Sequence, residues 1–248
     1  MDLGLQGRLA AVAASSGGLG FATAKALAHE GATVALCSRD GGRIREAAAE
    51  IGANAIPIVA DVSTVDGAIA FVRAATESLG RSPDILVANC GGPKPGGFDD
   101  MTLDDYRTAF EMNALSSIAM CQAVLPAMRE RKWGRVIAIT SVVVKQPVPY
   151  LALSNTARLG LHGFLRTAAR AVARDGVTVN AMLPGSHATD RIKKLYGSNP
   201  NMVDDVPVGF LGRPEDFGSS AAFLCSDHAR FITGTSMVLD GGWSTTVF

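Results

Sequence analysis

The chain has little cysteine, and what it has is badly placed for a metal or a disulfide framework. Cys37, Cys90, Cys121 and Cys225 lie far apart and none forms a CxxC pair. That argues against zinc and, without a secretory leader, against a disulfide-stapled fold. Net charge is lacking too: 23 Lys+Arg stand against 23 Asp+Glu. Without a basic stripe there is no electrostatic footprint for nucleic acid. Arg129, Arg131 and Lys132, beside Glu130, read as a solvated helix C-terminus. No run of about 18 apolar residues suggests a membrane span. Met1–Arg8 has no positive segment leading into an apolar one, so no secretory leader is expected. Internal repeats and low-complexity tracts are missing as well. The expectation is a cytoplasmic protein with reduced cysteines, no metal, and neither a nucleic-acid nor a membrane partner.

What is present is core material: 48% of the 248 residues are hydrophobic and 19% charged. Short apolar runs alternate with longer helical patterns. The strand candidates are Leu9–Ala14, Thr33–Ser38, Ile56–Ala60, Ile85–Asn89, Val136–Thr140, Val177–Leu183 and Ser236–Leu239. They are continuously apolar, as strands of a parallel sheet covered on both faces must be. Helices are predicted near 19–30, 42–51, 66–79, 103–130, 155–174 and 214–226. This rhythm predicts one α/β domain over 1–248, a doubly wound Rossmann-type fold with a seven-stranded parallel sheet and helices on both faces. Two stretches break the rhythm, the Gly/Pro-rich Cys90–Gly97 and the long polar 185–209. Ligands of open α/β sheets bind beyond the carboxyl ends of the strands, so 186–209 is expected to form a substrate-side lid.

The first strand runs into Ala13-Ala14-Ser15-Ser16-Gly17-Gly18-Leu19-Gly20 and then an Ala-rich helix. Strand, glycine-rich turn and helix N-terminus are what a dinucleotide pyrophosphate requires: Gly18 and Gly20 admit close backbone approach, and the free N–H groups and helix dipole offset the charge. Ala14, Ser15, Ser16 and Leu19 complete the loop. The second strand ends Ser38-Arg39, with Ser38 where an NAD site carries an acid for the ribose hydroxyls. Arg39 can pair with the extra 2′-phosphate, so NADP(H) is favoured and NAD(H) is the alternative.

Further along come Asp61-Val62, Asn89-Cys90-Gly91, Asn113, Ser141, Asn180 through Pro184-Gly185 to Thr189, Gly212-Arg213-Pro214-Glu215, and Thr233-Gly234 through Asp240-Gly241-Gly242. With the glycine loop, this ordered set resembles the short-chain dehydrogenase/reductase family over nearly the whole chain, most closely its 3-oxoacyl-acyl-carrier-protein reductase-like branch. The resemblance implies that Asp61 and Val62 contact adenine, that Asn89, Cys90, Gly91, Pro184 and Gly185 border the cofactor, and that Thr189 holds the nicotinamide amide. It implies catalytic roles for Asn113 and Ser141, and a homotetramer built on the two long central helices.

The departures carry the chemical interest. Ala13-Ala14 stand where the family has Thr-Gly, and alanine adopts positive φ only at a cost, so an altered turn and cofactor geometry are expected. The family's Tyr-x-x-x-Lys, 13 residues after the serine, falls on Ser154-Asn155-Thr156-Ala157-Arg158. Tyrosine is a tunable acid; a serine hydroxyl barely ionises near neutral pH. Arg158 can hold the nicotinamide ribose and supply charge but cannot shuttle a proton. Lys145 is the first substitute donor, in a loop where partial burial beside other cations makes an ammonium a better acid. Tyr150, His187 and Tyr196 are others, each also readable as a solvated or packing residue. Two functions follow: an oxidoreductase acting on a small carbonyl/alcohol pair with an altered proton donor, or a weak or inactive NADP(H)-binding regulatory or scaffold protein.

Overall fold

The computed structural model describes residues 1–192 and 203–247. Its seven strands are β1 (Leu9–Val12), β2 (Thr33–Ser38), β3 (Ala55–Val59), β4 (Ile85–Ala88), β5 (Gly134–Ile139), β6 (Val177–Pro184) and β7 (Ser236–Leu239). They form one parallel sheet in the order β3-β2-β1-β4-β5-β6-β7. The chain works outward from β1 to β3, then returns beside β1 with β4 and works outward the other way. The loops leaving β1 and β4 therefore diverge and open a crevice between them.

Side chains alternate across each strand, and both sets are apolar. Ala11, Ala35, Leu86, Val136 and Val179 pack against α3 (Val65–Leu79), α5 (Ser116–Glu130) and α6 (Ala152–Val172). Ala10, Val12, Leu36, Val87 and Ile137 pack on the other face against α1 (Gly18–His29), α2 (Gly41–Ile51) and α7 (Pro214–Cys225). Layers on both faces explain why the strands lack polar alternation.

Two elements differ from their expected bounds. β1 stops at Val12 rather than Ala14, because Ala14 leaves the extended region with φ 46°. The helix expected over 103–130 is interrupted. α4 (Leu103–Phe110) passes through one π-helical turn, Glu111–Leu115, before α5 begins. Such turns place an extra residue in the helix, often at functional sites. α4 starts with Thr102 and Asp105 capping each other's backbone N–H, and Lys94 pairs with Asp105 at 2.7 Å, so the loop after β4 is tied to this helix.

The amino ends of the strands, opposite the crevice, are locked by charge. Buried Asp84 accepts from Leu9 N and pairs with Arg81 and Arg131, which hold its carboxyl below the ordinary range against the opposing effect of burial. Arg129 and Lys132 both pair with Asp175. The basic residues at this helix end therefore hold the chain's own carboxylates. No helix among the described residues is long and apolar enough to cross a membrane.

Candidate active site

The glycine loop keeps the shape that its alanines make costly. Ala14 sits in the left-handed region, where an L residue pays about 1–2 kcal/mol. Asn89, at the end of β4, clamps the turn by donating from Nδ2 to Ala13 O and Ala14 O at 3.3 and 3.1 Å. Ser15 is fully buried: its Oγ donates to Val12 O and accepts from Cys37 N, joining β1 to β2. Its hydroxyl thus braces the loop from behind. A Cβ on Gly20 would lie 2.6 Å from Ala14 O and 2.8 Å from Asn89 Nδ2, so only glycine lets α1 start here. No side chain caps α1 at Gly17, which leaves its first N–H groups open to an anion. Thr189 lies over Gly18, with its methyl carbon 3.6 Å from where a Cβ would stand. These features fit a pyrophosphate.

At the adenine end, Ser38 Oγ accepts from Asp40 N, and Asp40 caps α2 by accepting from Gly42 N and Arg43 N. The carboxylate of Asp40 is thereby turned into its own helix. Arg39 is exposed and makes no ion pair among the described residues. One helical turn on, Arg43 reaches back until its Nη2 is 3.4 Å from the Cβ position of Gly17. Asp61 is exposed beside buried Val62, and its hydrogen bonds from Ser63 hold its carboxyl below the ordinary range, with Arg39 adding to the effect.

The far side of the crevice holds Asn113, Ser141, Ser154 and Arg158. Asn113 occupies the π turn, where it donates from Nδ2 to Gly91 O at 2.8 Å while its buried Oδ1 has no partner among the described residues. Ser141 ends β5 and accepts from Val143 N at 3.3 Å. α6 begins at Ala152, three residues before its expected start, so Ser154 lies in its first turn and Arg158 in the next. Both are only 7% exposed. Arg158 donates from Nε to Ser154 Oγ and from Nη1 to Ile139 O, each at 3.2 Å, which fastens α6 to β5 beside Ser141. Burial lowers the Arg158 pKa to about 10, so it stays charged near neutrality. Burial also pushes the Cys90 thiol up to about 11, against the pull of Arg158.

The other donor candidates are distributed. Lys145 is half-buried at the end of a short 3₁₀ turn, Val142–Val144, on the crevice-side loop. Tyr150 is 41% exposed, and its carbonyl accepts from Gly96 N. His187 is 5% exposed, packed edge-on against Phe217 with Gly212 against its ring, so it anchors the start of the segment after β6. Tyr196 lies outside the described residues, as do 193–202 of the expected lid. Gly185 N donates to Leu239 O, and Asp240 leaves no room for a Cβ there, which fixes Pro184-Gly185 at the sheet edge.

Three participants were not among the expected residues: Arg43, Arg191 and His162. Arg191 donates to Gly92 O and Pro93 O across the mouth of the crevice. His162 bridges β5 and β7 through Thr140 Oγ1 at 2.9 Å and Ser236 Oγ at 3.2 Å. Since Thr140 donates to Met182 O, the network assigns the ring proton to Nε2 and leaves Nδ1 to accept from Ser236. Burial lowers its pKa to about 4, helped by Arg158 and Lys145. Spacing was the available signal: Ser154, Arg158 and His162 recur every four residues on one helix face, and Arg43 follows Arg39 by four.

Comparison with known proteins places this geometry. A family model described as enoyl-(acyl carrier protein) reductase matches residues 13–244. The 3-oxoacyl-acyl-carrier-protein reductase of Vibrio cholerae is 32% identical over 241 residues, covering 97% of this chain and 98% of its own. Human dehydrogenase/reductase SDR family member 4 is 31% identical over 244 residues, covering 96% and 88%. Among solved structures, L-sorbose reductase from Gluconobacter frateurii, complexed with NADPH and L-sorbose, superposes with TM-score 0.92 at 28% identity over the full length of both chains. A 7α-hydroxysteroid dehydrogenase complexed with NADH and a 7-oxo bile acid gives TM-score 0.91 at 28% identity, covering 97% of this chain and 96% of its own.

Proposed function

The chain belongs to the short-chain dehydrogenase/reductase family, and from that premise we propose that it is an NADP(H)-dependent oxidoreductase acting on a carbonyl/alcohol pair, with a proton donor other than residue 154. The observation that carries the reading is the state of the two altered positions. Ser154 and Arg158 are buried, bonded to each other and fastened to the end of β5 beside Ser141. A site that had lost its use would have no reason to keep a buried cation in place, since burying a charge is expensive.

The relatives divide between NADPH and NADH, so cofactor choice rests on this chain's own residues. Two arginines, Arg39 and Arg43, stand at the end of β2 and beside the loop, and Asp40 is engaged in its helix cap. That charge favours a 2′-phosphate. Bound NADPH would supply the hydride. Ser141 and Ser154 would polarise the carbonyl oxygen, while Arg158 holds the nicotinamide ribose and stabilises developing negative charge. Asn113 Oδ1 is oriented to accept from a water in the crevice. Lys145 is the donor we favour. Leu115 and Leu159, 47% and 57% exposed on the central helices, support a homotetramer assembled through that face. The cytoplasm is its proposed compartment.

The loss of the tyrosine favours a second reading, a cofactor-binding protein that regulates or scaffolds without turnover. NADPH binding followed by fluorescence, then NADPH oxidation with β-ketoacyl thioesters, diketones and quinones, separates the two. Binding without oxidation sinks the enzyme; turnover abolished by Ser141→Ala and Lys145→Ala sinks the scaffold.

A further inference from the structure

Among the described residues, the mouth of the crevice carries three cations, Lys145, Arg158 and Arg191, that no acid pairs. Arg158 is buried, and the neighbours that act on its charge are Cys90 and Arg191. Lys145 acts on the same histidine as Arg158. None of Lys145, Arg158 and Arg191 forms an ion pair among the described residues. In the described part of the segment after β6, 187–192, the one acid is Asp190, which lines a cavity on the α1 side with Gly18 and Thr189.

Arg191 is the member of this group free to meet a ligand. It stands two residues beyond Thr189 and reaches across to the loop after β4, where its guanidinium fills the space a Cβ on Gly92 would need. Its hydrogen bonds to Gly92 O and Pro93 O are both 3.4 Å. Contacts that long leave most of the donor capacity of a five-donor fork unused. A planar fork with spare donors, over the substrate end of a crevice and backed by two more cations, is complementary to a carboxylate.

We propose that the substrate is a carbonyl compound bearing a carboxylate, and that Arg191 binds that carboxylate at the crevice mouth. This rests on the oxidoreductase reading above and names its substrate class. Arg158 and Lys145 add long-range attraction, and glycine at 92 leaves the guanidinium room to lie where it does.

The test begins with binding. The full chain, saturated with NADP⁺, is titrated calorimetrically with butyrate and with benzoate, unreactive carboxylates, and with their amides. The carboxylates bind and the amides do not, and Arg191→Gln weakens carboxylate binding about 10–100-fold, the range for losing a hydrogen bond to a charged group. Kinetics with 2-oxo and 3-oxo acids and their methyl esters form the second arm. Arg191→Gln raises KM for the acids by a similar factor, with kcat and the ester kinetics unchanged. Carboxylate binding that disappears once NADP⁺ is bound, or esters used as well as acids by the parent chain, overturns the proposal, because the cations then serve the cofactor alone. Failure of the chain to bind NADP⁺ at all defeats the oxidoreductase reading itself and is scored separately.

Discussion

The two sides of the crevice meet a ligand on different terms. On the β2-β1-β4 side, what faces the crevice is largely backbone, a glycine loop clamped by Asn89 and an uncapped helix end, with Arg39 and Arg43 beside it. On the β5-β6 side it is made of side chains: Ser141, Ser154, Arg158 and Arg191. The first side tolerates Ala13-Ala14 because the turn is held from several directions. The second, on the proposed reading, carries a hydroxyl and a permanent cation where the family pattern has an ionisable pair, and both side chains are buried and hydrogen-bonded to each other. Backbone recognition absorbs substitution; side-chain chemistry is rewritten by it.

The largest effect that sharpens this contrast is expected from Ser154→Tyr with Arg158→Lys. If only the proton donor separates this chain from its relatives, carbonyl reduction rises by about 10²–10⁴-fold in the double variant, the worth of a positioned general acid. Steady-state kinetics with NADPH measure it, and an unchanged rate means the parent already has a competent donor. Next in size is the pH response of His162. Its pKa falls from 6.5 unfolded to about 4 folded, so the unfolded chain binds more protons between these values. Its stabilising contribution is present in full above pH 6.5, declines as the pH falls and is gone below 4, a swing of roughly 3 kcal/mol. Urea unfolding of the parent and His162→Val between pH 4 and 7 checks this through the difference between them. On the backbone side, Arg39→Ser is expected to weaken NADPH by about 10–100-fold and leave NADH nearly unchanged. Equal loss for both cofactors would remove the assignment of this end to a 2′-phosphate. The smallest effect is Ala14→Gly, which relieves the positive φ and raises stability by about 0.5–1 kcal/mol, read as a small rise in Tm.

The fold was legible because burial on both sheet faces leaves continuous apolar strands, and β2 and β7 fall within their expected bounds for that reason. Ser154 and Arg158 were singled out by counting from Ser141 along the pattern that the family resemblance implies, and they lie four residues apart on one face of α6. The π turn was not, since Glu111-Met112-Asn113-Ala114-Leu115 is a sequence any α-helix accepts; tertiary packing selects the wider turn. Arg43, Arg191 and His162 escaped because each acts across the fold, on Gly17, on Gly92 and Pro93, and on Thr140 and Ser236. His187 is the converse case, a residue with the right chemistry whose ring is occupied by Phe217 and Gly212.

The π turn between α4 and α5 also sets the phase of everything after it. One residue advances an α-helix by about 100°, so rewinding Glu111–Leu115 as ordinary α-helix, with no residue removed, would rotate α4 against α5 by roughly a quarter turn. Either Asn113 would lose Gly91, or α5 would lift Met120 and Val124 off the sheet. The interruption is thus a gear between two helices, letting one meet the crevice and the other the core.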